Sequence, residues 1–196
     1  MNNHTFIIGI TGGSGCGKTT LLNLIAEHGG LVLDCDAIYH DLLKTDKAML
    51  SAIDARFPGV MEDGGLNRKK LGAIVFADKQ ALLDLNTITH AAVKKEVLRR
   101  LESQPKLAAI DAIGLFEGKL AELCDVTVAV TAPTEDRVKR LMNRDGISEE
   151  YARSRIAAQH DDRWFRDRCG FILENNSNLD AFATKCVDFL RSLDII

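Results

Sequence analysis

The chain has 196 residues, 46% of them hydrophobic and 27% charged, which suits one sizeable α/β domain and excludes both two full domains and a long disordered region. A formal net charge of −3, with no run of five basic residues, excludes the electrostatic footprint needed to hold a nucleic-acid backbone. Apolar stretches such as 6–10 and 126–130 are strand-length, far short of the roughly 20 residues of a membrane span, so neither nucleic acid nor membrane is an expected partner.

The chain opens Met-Asn-Asn-His without the charged start and cleavage site of a signal peptide, and a cytoplasmic location is expected. Residues 5–11 alternate apolar side chains around Gly9 and predict a strand; 12–17 are glycine-rich; 18–28 carry Leu21, Leu22, Leu24 and Ile25 at helical spacing. Gly29 and Gly30 end that helix, and 31–33 form a short buried strand ending at Asp34, so a βαβ unit opens the chain. A short helix is predicted at 36–43, then an irregular stretch marked by Pro58, Gly64 and Gly65. Helices follow at 68–76 and 79–101, a buried strand at 107–110 ending at Asp111, another strand at 126–130, and a helix at 134–142. Ser148 followed by Glu149 and Glu150 is a helix start, with the acids in the positive first turn, and a charged helical pair runs through Arg168. A strand at 171–173 and a helix at 179–193 close the chain. Alternating strands and helices imply a parallel sheet covered on both faces, with its ligand at the carboxyl ends of the strands. The five cysteines, Cys16, Cys35, Cys124, Cys169 and Cys186, form no C-x-x-C pair and are expected to be reduced, without metal or disulfide; Cys16 is read as a small filler of the glycine-rich loop.

Residues 12–19, Gly-Gly-Ser-Gly-Cys-Gly-Lys-Thr, match G-x-x-x-x-G-K-[ST]. In that motif the backbone amides around Gly13, Ser14, Gly15, Cys16, Gly17 and, just beyond, Thr20 wrap phosphates, Lys18 reaches the β- and γ-phosphates, and the Thr19 hydroxyl ligates Mg²⁺. The helix behind adds its N-terminal partial positive charge. The motif implies a nucleotide, here ATP with Mg²⁺, and leaves the reaction open, since GTPases, motors and small-molecule kinases share it. In a βαβ unit the second strand is expected beside the first, which puts Asp34 and Asp36 near the γ-phosphate. A carboxylate there takes the proton of an attacking hydroxyl and holds it in line. Asp36 is the candidate for that work and Asp34 for supporting the turn or the metal's water shell. Asp111, after its own strand, is a candidate for contacting Mg²⁺ through water.

Five further stretches carry a resemblance to one family. Asp34-Cys-Asp36 is similar to the Asp-x-Asp segment of the dephospho-CoA kinase family, residues 85–90 (Leu-Asn-Thr-Ile-Thr-His) to its Leu-Asn-x-Ile-x-His-Pro, and residues 115–117 (Leu-Phe-Glu) to the end of its Pro-Leu-Leu-Phe-Glu. Residues 144–159 resemble its lid over ATP, and 173–177 (Leu-Glu-Asn-Asn-Ser) its turn near the nucleotide base. The matches fall in the family's order and cover most of the chain. Departures are Ala91 in place of proline, Ala112-Ile-Gly114 before Leu115, and Ser177 in place of glycine.

The resemblance implies a single P-loop kinase domain over 1–196, with a three-layer α/β fold, an acceptor-side helical insertion at about 36–103 and a small helical lid at about 144–168. It implies transfer of the ATP γ-phosphoryl to the ribose 3′-hydroxyl of dephospho-CoA, the last step of coenzyme A biosynthesis. Asp36 would be the base, Arg144 and Arg155 the lid arginines closing on the phosphates, and Asn176 a contact near the base of ATP. His90, Phe116 and Glu117 would meet the acceptor. Trp164 and Phe165 are read as packing residues of an amphipathic helix, and the remaining lid arginines, Arg140 among them, as a solvated helix face. A monomer or small homo-oligomer is expected. Two alternatives stay open: another P-loop kinase for a nucleoside, nucleotide or shikimate-like acceptor, and a nucleotide-dependent regulatory switch.

Overall fold

The strand β1 (Phe6–Thr11) is buried along nearly its whole length, as a strand covered on both faces must be. The computed structural model describes residues 4–62 and 65–196; Met1, Asn2, Asn3 and Asp63, and Gly64 of the irregular stretch read from the sequence, lie outside the described residues. From β1 the chain passes through the loop at 12–17 into α1 (Lys18–Glu27), then β2 (Leu31–Asp34), α2 (Cys35–Thr45) and α3 (Lys47–Arg56). Two two-residue strands, β3 (Met61–Glu62) and β4 (Gly65–Leu66), pair antiparallel. There follow α4 (Arg68–Ala77), α5 (Lys79–Leu101), β5 (Leu107–Asp111), β6 (Val126–Thr131), α6 (Thr134–Asp145), α7 (Glu149–Ala157), α8 (Asp162–Arg166), β7 (Phe171–Glu174) and α9 (Leu179–Ser192).

The five long strands form one parallel sheet in the order β2-β5-β1-β6-β7. This corrects the expectation that β2 lies beside β1. β5 is inserted between them, pairing Ile10 with Asp111 on one side and Asp34 with Asp111 on the other. Local sequence spacing cannot anticipate that insertion, because more than seventy residues separate β2 from β5. The result brings Asp111, not Asp34, next to the strand that feeds the phosphate-binding motif.

Alternation along the strands divides the core in two. Ile8, Ile10, Leu107 and Ala109 pack under α1 and α9 with Leu21, Ile25, Phe182 and Phe189. Ile7, Ala108 and Ile110 face the α2–α5 side with Ile38, Ile53, Val97 and Leu115. These are the three layers of a P-loop α/β fold. A separate small cluster, Val138, Leu141 and Ala152, joins α6 to α7.

Helix α3 and the β3–β4 hairpin went unread in the sequence. Only Met49 and Ile53 of α3 are buried, so its apolar stripe is too thin to declare a period, while Asp46 supplies the start signal by accepting from the Ala48 and Met49 amides. Side-chain caps recur throughout: Asp34, Asn67, Asp78, Ser148, Asp161 and Asn178 each accept a first-turn amide of the helix that follows. Helix α1 has no such cap and no acid in its first turn, and its amino end is therefore left for another anion.

Ile110 is wholly buried between β1 and the α2–α5 layer. Ile110→Ala is expected to lower the unfolding free energy by about 2–5 kcal/mol, read as a lower denaturation midpoint at an unchanged denaturant slope.

Candidate active site

In the loop after β1, the carbonyl oxygens are each drawn toward a donor on the protein side. Gly12 O accepts from Lys18 Nζ at 3.1 Å, Gly13 O from the Cys16 amide, and Gly17 O from the Thr20 amide. Ser14 O accepts from Arg137 Nε at 3.0 Å, Gly15 O from Arg140 Nη1 at 3.1 Å, and Cys16 O from Asn175 Nδ2 at 2.8 Å. With the carbonyls turned outward, the loop forms a concave nest at the uncapped start of α1, the arrangement that binds phosphate; the Ser14, Cys16 and Thr20 amides, expected to wrap phosphate, donate instead to Gln159 Oε1, Gly13 O and Gly17 O. Two glycines are required by this path. At Gly12, with φ 126, a Cβ would overlap the Val130 carbonyl oxygen, and at Gly17, with φ 97, one would overlap the buried amide of Asn175.

Residues 14–19 line a cleft of about 660 Å³ whose opposite walls carry opposite charge: Asp34, Asp36 and Asp111 on one, Arg140, Arg144 and Arg155 on the other. Gly13 is buried behind the loop against Arg137. Cys16 is buried too, and burial pushes its thiol up despite nearby Arg137 and Lys18, which suits a filler and not an activated nucleophile.

Lys18 Nζ stands 3.8 Å from Asp111 Oδ1, an ion pair too long to be a hydrogen bond. Asp111 Oδ1 is consequently buried without a hydrogen-bond partner. Burial, opposed by Lys18 and reinforced by the carboxylates of Asp34 and Asp36, pushes the Asp111 carboxyl up to about 6. An orphaned carboxylate oxygen in the same cleft as the Thr19 hydroxyl fits a hydrated divalent cation. Among the described residues no three His, Cys, Asp or Glu side chains converge to cage a metal.

The two carboxylates of 34 and 36 have separate jobs. Asp34 Oδ1 caps α2 by accepting from the Ala37 amide at 2.9 Å. Asp36, in the first turn of α2, lines both the charged cleft and a second cavity of about 230 Å³. That second cavity is mainly apolar; Tyr39, Asn86, His90, Ile113 and Gly114 contribute to its wall.

Phe116 and Glu117 do not line it. Glu117 Oε1 lies 2.7 Å from His160 Nε2, and the Phe116 ring meets Trp164 edge-on at 5.5 Å. Both therefore face the α7–α8 segment. Trp164 stacks on His160 with ring centroids 3.8 Å apart and has the Arg168 guanidinium over its ring at 4.3 Å, while Phe165 is buried; all of this is packing within the segment. Asn176 lines a third cavity, of about 220 Å³, with Thr131, Pro133, Asp162 and Arg166.

Arg144 and Arg155 both bind Asp145, whose carboxyl their hydrogen bonds hold down to about 2. Three residues that shape the loop were passed over in the sequence: Arg137, Gln159 and Asn175. Arg137 is only 5% exposed, yet in sequence it is one arginine among several alternating with acids. The available signal was Gln159 at the end of the lid-like stretch and Asn175 beside Asn176.

The sequence profile described as dephospho-CoA kinase matches residues 6–181. A dephospho-CoA kinase from Carboxydothermus hydrogenoformans is 38% identical over 191 residues, covering 94% of this chain and 93% of that protein. A solved Thermus thermophilus structure is similar at 32% identity with a TM-score of 0.81, over 97% of this chain and 98% of the other. The dephospho-CoA kinase structure from Campylobacter jejuni is similar at 25% identity with a TM-score of 0.65, over 95% and 96% of the two chains.

Asp111 makes the ligand-free protein's stability fall with pH. Its carboxyl titrates near 6 in the folded chain against 3.8 as its ordinary value, so the folded state holds the extra proton between those limits. The penalty for ionising it is absent below pH 3.8, grows through the interval and is complete above about pH 6, roughly 3 kcal/mol in all. Asp111→Asn is expected to flatten that slope and raise ligand-free stability at neutral pH, measured by denaturation at pH steps across the interval.

Proposed function

The chain belongs to the dephospho-CoA kinase family, and from that premise we propose how its residues transfer the γ-phosphoryl of ATP to the ribose 3′-hydroxyl of dephospho-CoA. The observation that carries the reading is the position of Asp36, shared by a charged cleft sized for phosphates and an apolar cavity beside it. ATP lies with its phosphates in the loop nest and its base toward Thr131, Pro133 and Asn176. Dephospho-CoA enters from the α2–α5 side, the acceptor-side segment, with His90 and Asn86 on the wall of its cavity.

The Asp36 carboxylate accepts the proton of the 3′-hydroxyl as its oxygen attacks the γ-phosphorus; the bond to the bridging oxygen breaks, ADP leaves, and the proton passes from Asp36 to solvent. The transition state is loose, so orientation matters more than basicity. Lys18 and the loop amides bear charge on the transferred group, and Arg140, Arg144 and Arg155 supply positive charge from the opposite wall. Thr19 and, through water, Asp111 would hold Mg²⁺, which would supply positive charge to offset that of the phosphates. Helices α7 and α8 act as the lid, excluding water as a competing acceptor. The departures at 112–114 fall on the acceptor cavity's wall, where they alter its shape, and Ile113 also lines the charged cleft. No helix among the described residues is long and apolar enough to cross a membrane.

Incubation with ATP, Mg²⁺ and dephospho-CoA is expected to yield ADP and CoA in equal amounts, followed by a coupled assay and mass spectrometry; ADP release indifferent to dephospho-CoA would overturn the acceptor assignment. Asp36→Asn should lower kcat by about 10²–10⁴-fold while ATP still binds. Transfer by that variant at the wild-type rate would remove Asp36 from the role of base.

A further inference from the structure

Between the end of α7 at Ala157 and the start of α8 at Asp162, two adjacent side chains point to opposite partners. Gln159 reaches the phosphate loop. Its Oε1 accepts from the Ser14 amide at 2.9 Å and from Arg137 Nη2 at 2.8 Å, and its Nε2 donates to Ser14 Oγ at 2.8 Å. Arg137 Nε completes the set on Ser14 O, so the amide, hydroxyl and carbonyl of Ser14 are all held by these two side chains. His160 reaches the other way, to Glu117 at 2.7 Å. Its ring lies parallel on Trp164, which Phe116 meets edge-on. Phe116 and Glu117 belong to the same turn after β5 whose residues Ala112, Ile113 and Gly114 wall the acceptor cavity.

We propose that Gln159 and His160 form a two-sided clasp through which occupation of the nucleotide site and of the acceptor cavity promote one another. Because the two residues are consecutive, any movement of the lid relative to the body strains both contacts, and the looser one opens first. A nucleotide that settles the loop favours the Gln159 side and so presents His160 to Glu117; an acceptor that settles the turn after β5 favours His160 and so presents Gln159 to Ser14. The contacts differ in how much motion they tolerate. Gln159 sits in a network with a buried guanidinium, whereas His160 and Glu117 are both about 40% exposed, at 45% and 39%, and their contact is the one that can open. Gln159 and His160 are positioning residues, since neither needs to touch the reacting atoms. Thermodynamic linkage makes the coupling reciprocal: whatever factor dephospho-CoA adds to nucleotide affinity, nucleotide adds to dephospho-CoA affinity.

The inference rests on the phosphoryl-transfer reading above, and its test keeps the two apart. Calorimetric titration with an ATP analogue bearing a non-hydrolysable β,γ bridge, with and without saturating dephospho-CoA, measures the coupling in the intact chain. Affinity for the analogue is expected to rise at least about fivefold with dephospho-CoA present. In His160→Ala that gain should fall below about twofold, with affinity for the analogue alone unchanged and the circular dichroism of the folded chain retained. His160→Gln, whose amide can still donate to Glu117, should recover the gain; a residue that merely packs on Trp164 would not be rescued this way. A wild-type chain that makes CoA yet shows no coupling, or a His160→Ala variant that keeps it in full, would overturn the clasp and leave the function standing. A wild-type chain that makes no CoA would overturn both.

Discussion

Pairing of β1 with β5 sets the position of the acidic groups in the cleft. With Ile10 opposite Asp111, and Asp111 opposite Asp34 on β2, three carboxylates gather at the carboxyl ends of adjacent strands, facing the loop that β1 feeds. Lys18 is the cation that the loop itself supplies, and it is divided between Gly12 O and Asp111. One ammonium at 3.8 Å leaves a buried Asp111 oxygen unpaired and its carboxyl raised to about 6. The ligand-free protein is thus electrostatically incomplete on one wall. On the other, arginines are tied to loop carbonyls or to Asp145. In the reaction proposed above, a polyphosphate with its divalent cation would supply the positive charge that the acidic wall lacks.

The nest owes its shape to side chains from far along the chain. Backbone amides can converge on an anion only if the carbonyls between them find donors elsewhere. Here those donors are Arg137 and Arg140 from α6 and Asn175 from the end of β7, more than a hundred residues beyond the loop. Burial of Arg137 is tolerated because its guanidinium spends its protons on Ser14 O and Gln159 Oε1. Glycine at 12 and 17 keeps the backbone close enough to Val130 and Asn175 for the arrangement to close.

What could be read from the sequence was local, and what could not was long-range. The loop, the strand and helix around it, Asp36 on the following helix and the cap at Ser148 all declare themselves within a few residues, because their chemistry depends on spacing along one element. Helix α5 was legible to its ends, since Asp78 caps it and its apolar positions repeat. The place of β5 between β1 and β2 was not, as strand order is decided by packing of whole layers. Nor could spacing distinguish Arg137, buried against Ser14, from Arg153, exposed and paired with Glu135 and Glu149; both alternate with acids on helices. The family resemblance puts Phe116 and Glu117 with the acceptor, yet the turn carries their side chains round to face His160 and Trp164.

Asp34 and Asp36 show how a strand-to-helix junction can fix a carboxylate without touching it. Asp34 leaves the strand extended and accepts the Ala37 amide, which starts α2 at Cys35. Cys35 and Ile38 are then buried in the core under the sheet. Asp36, between them, has no freedom to turn inward, because the buried positions on either side already set the rotation of the helix. Its carboxylate is left at the seam of cleft and cavity, on an element anchored by a cap at one end and by Leu42 packed near the other. In the transfer proposed above, whose transition state is loose, a carboxylate held in place in this way would contribute mainly by aligning the attacking hydroxyl, and the division between a capping acid and a cavity-lining one two residues later follows from the geometry of a helix's first turn.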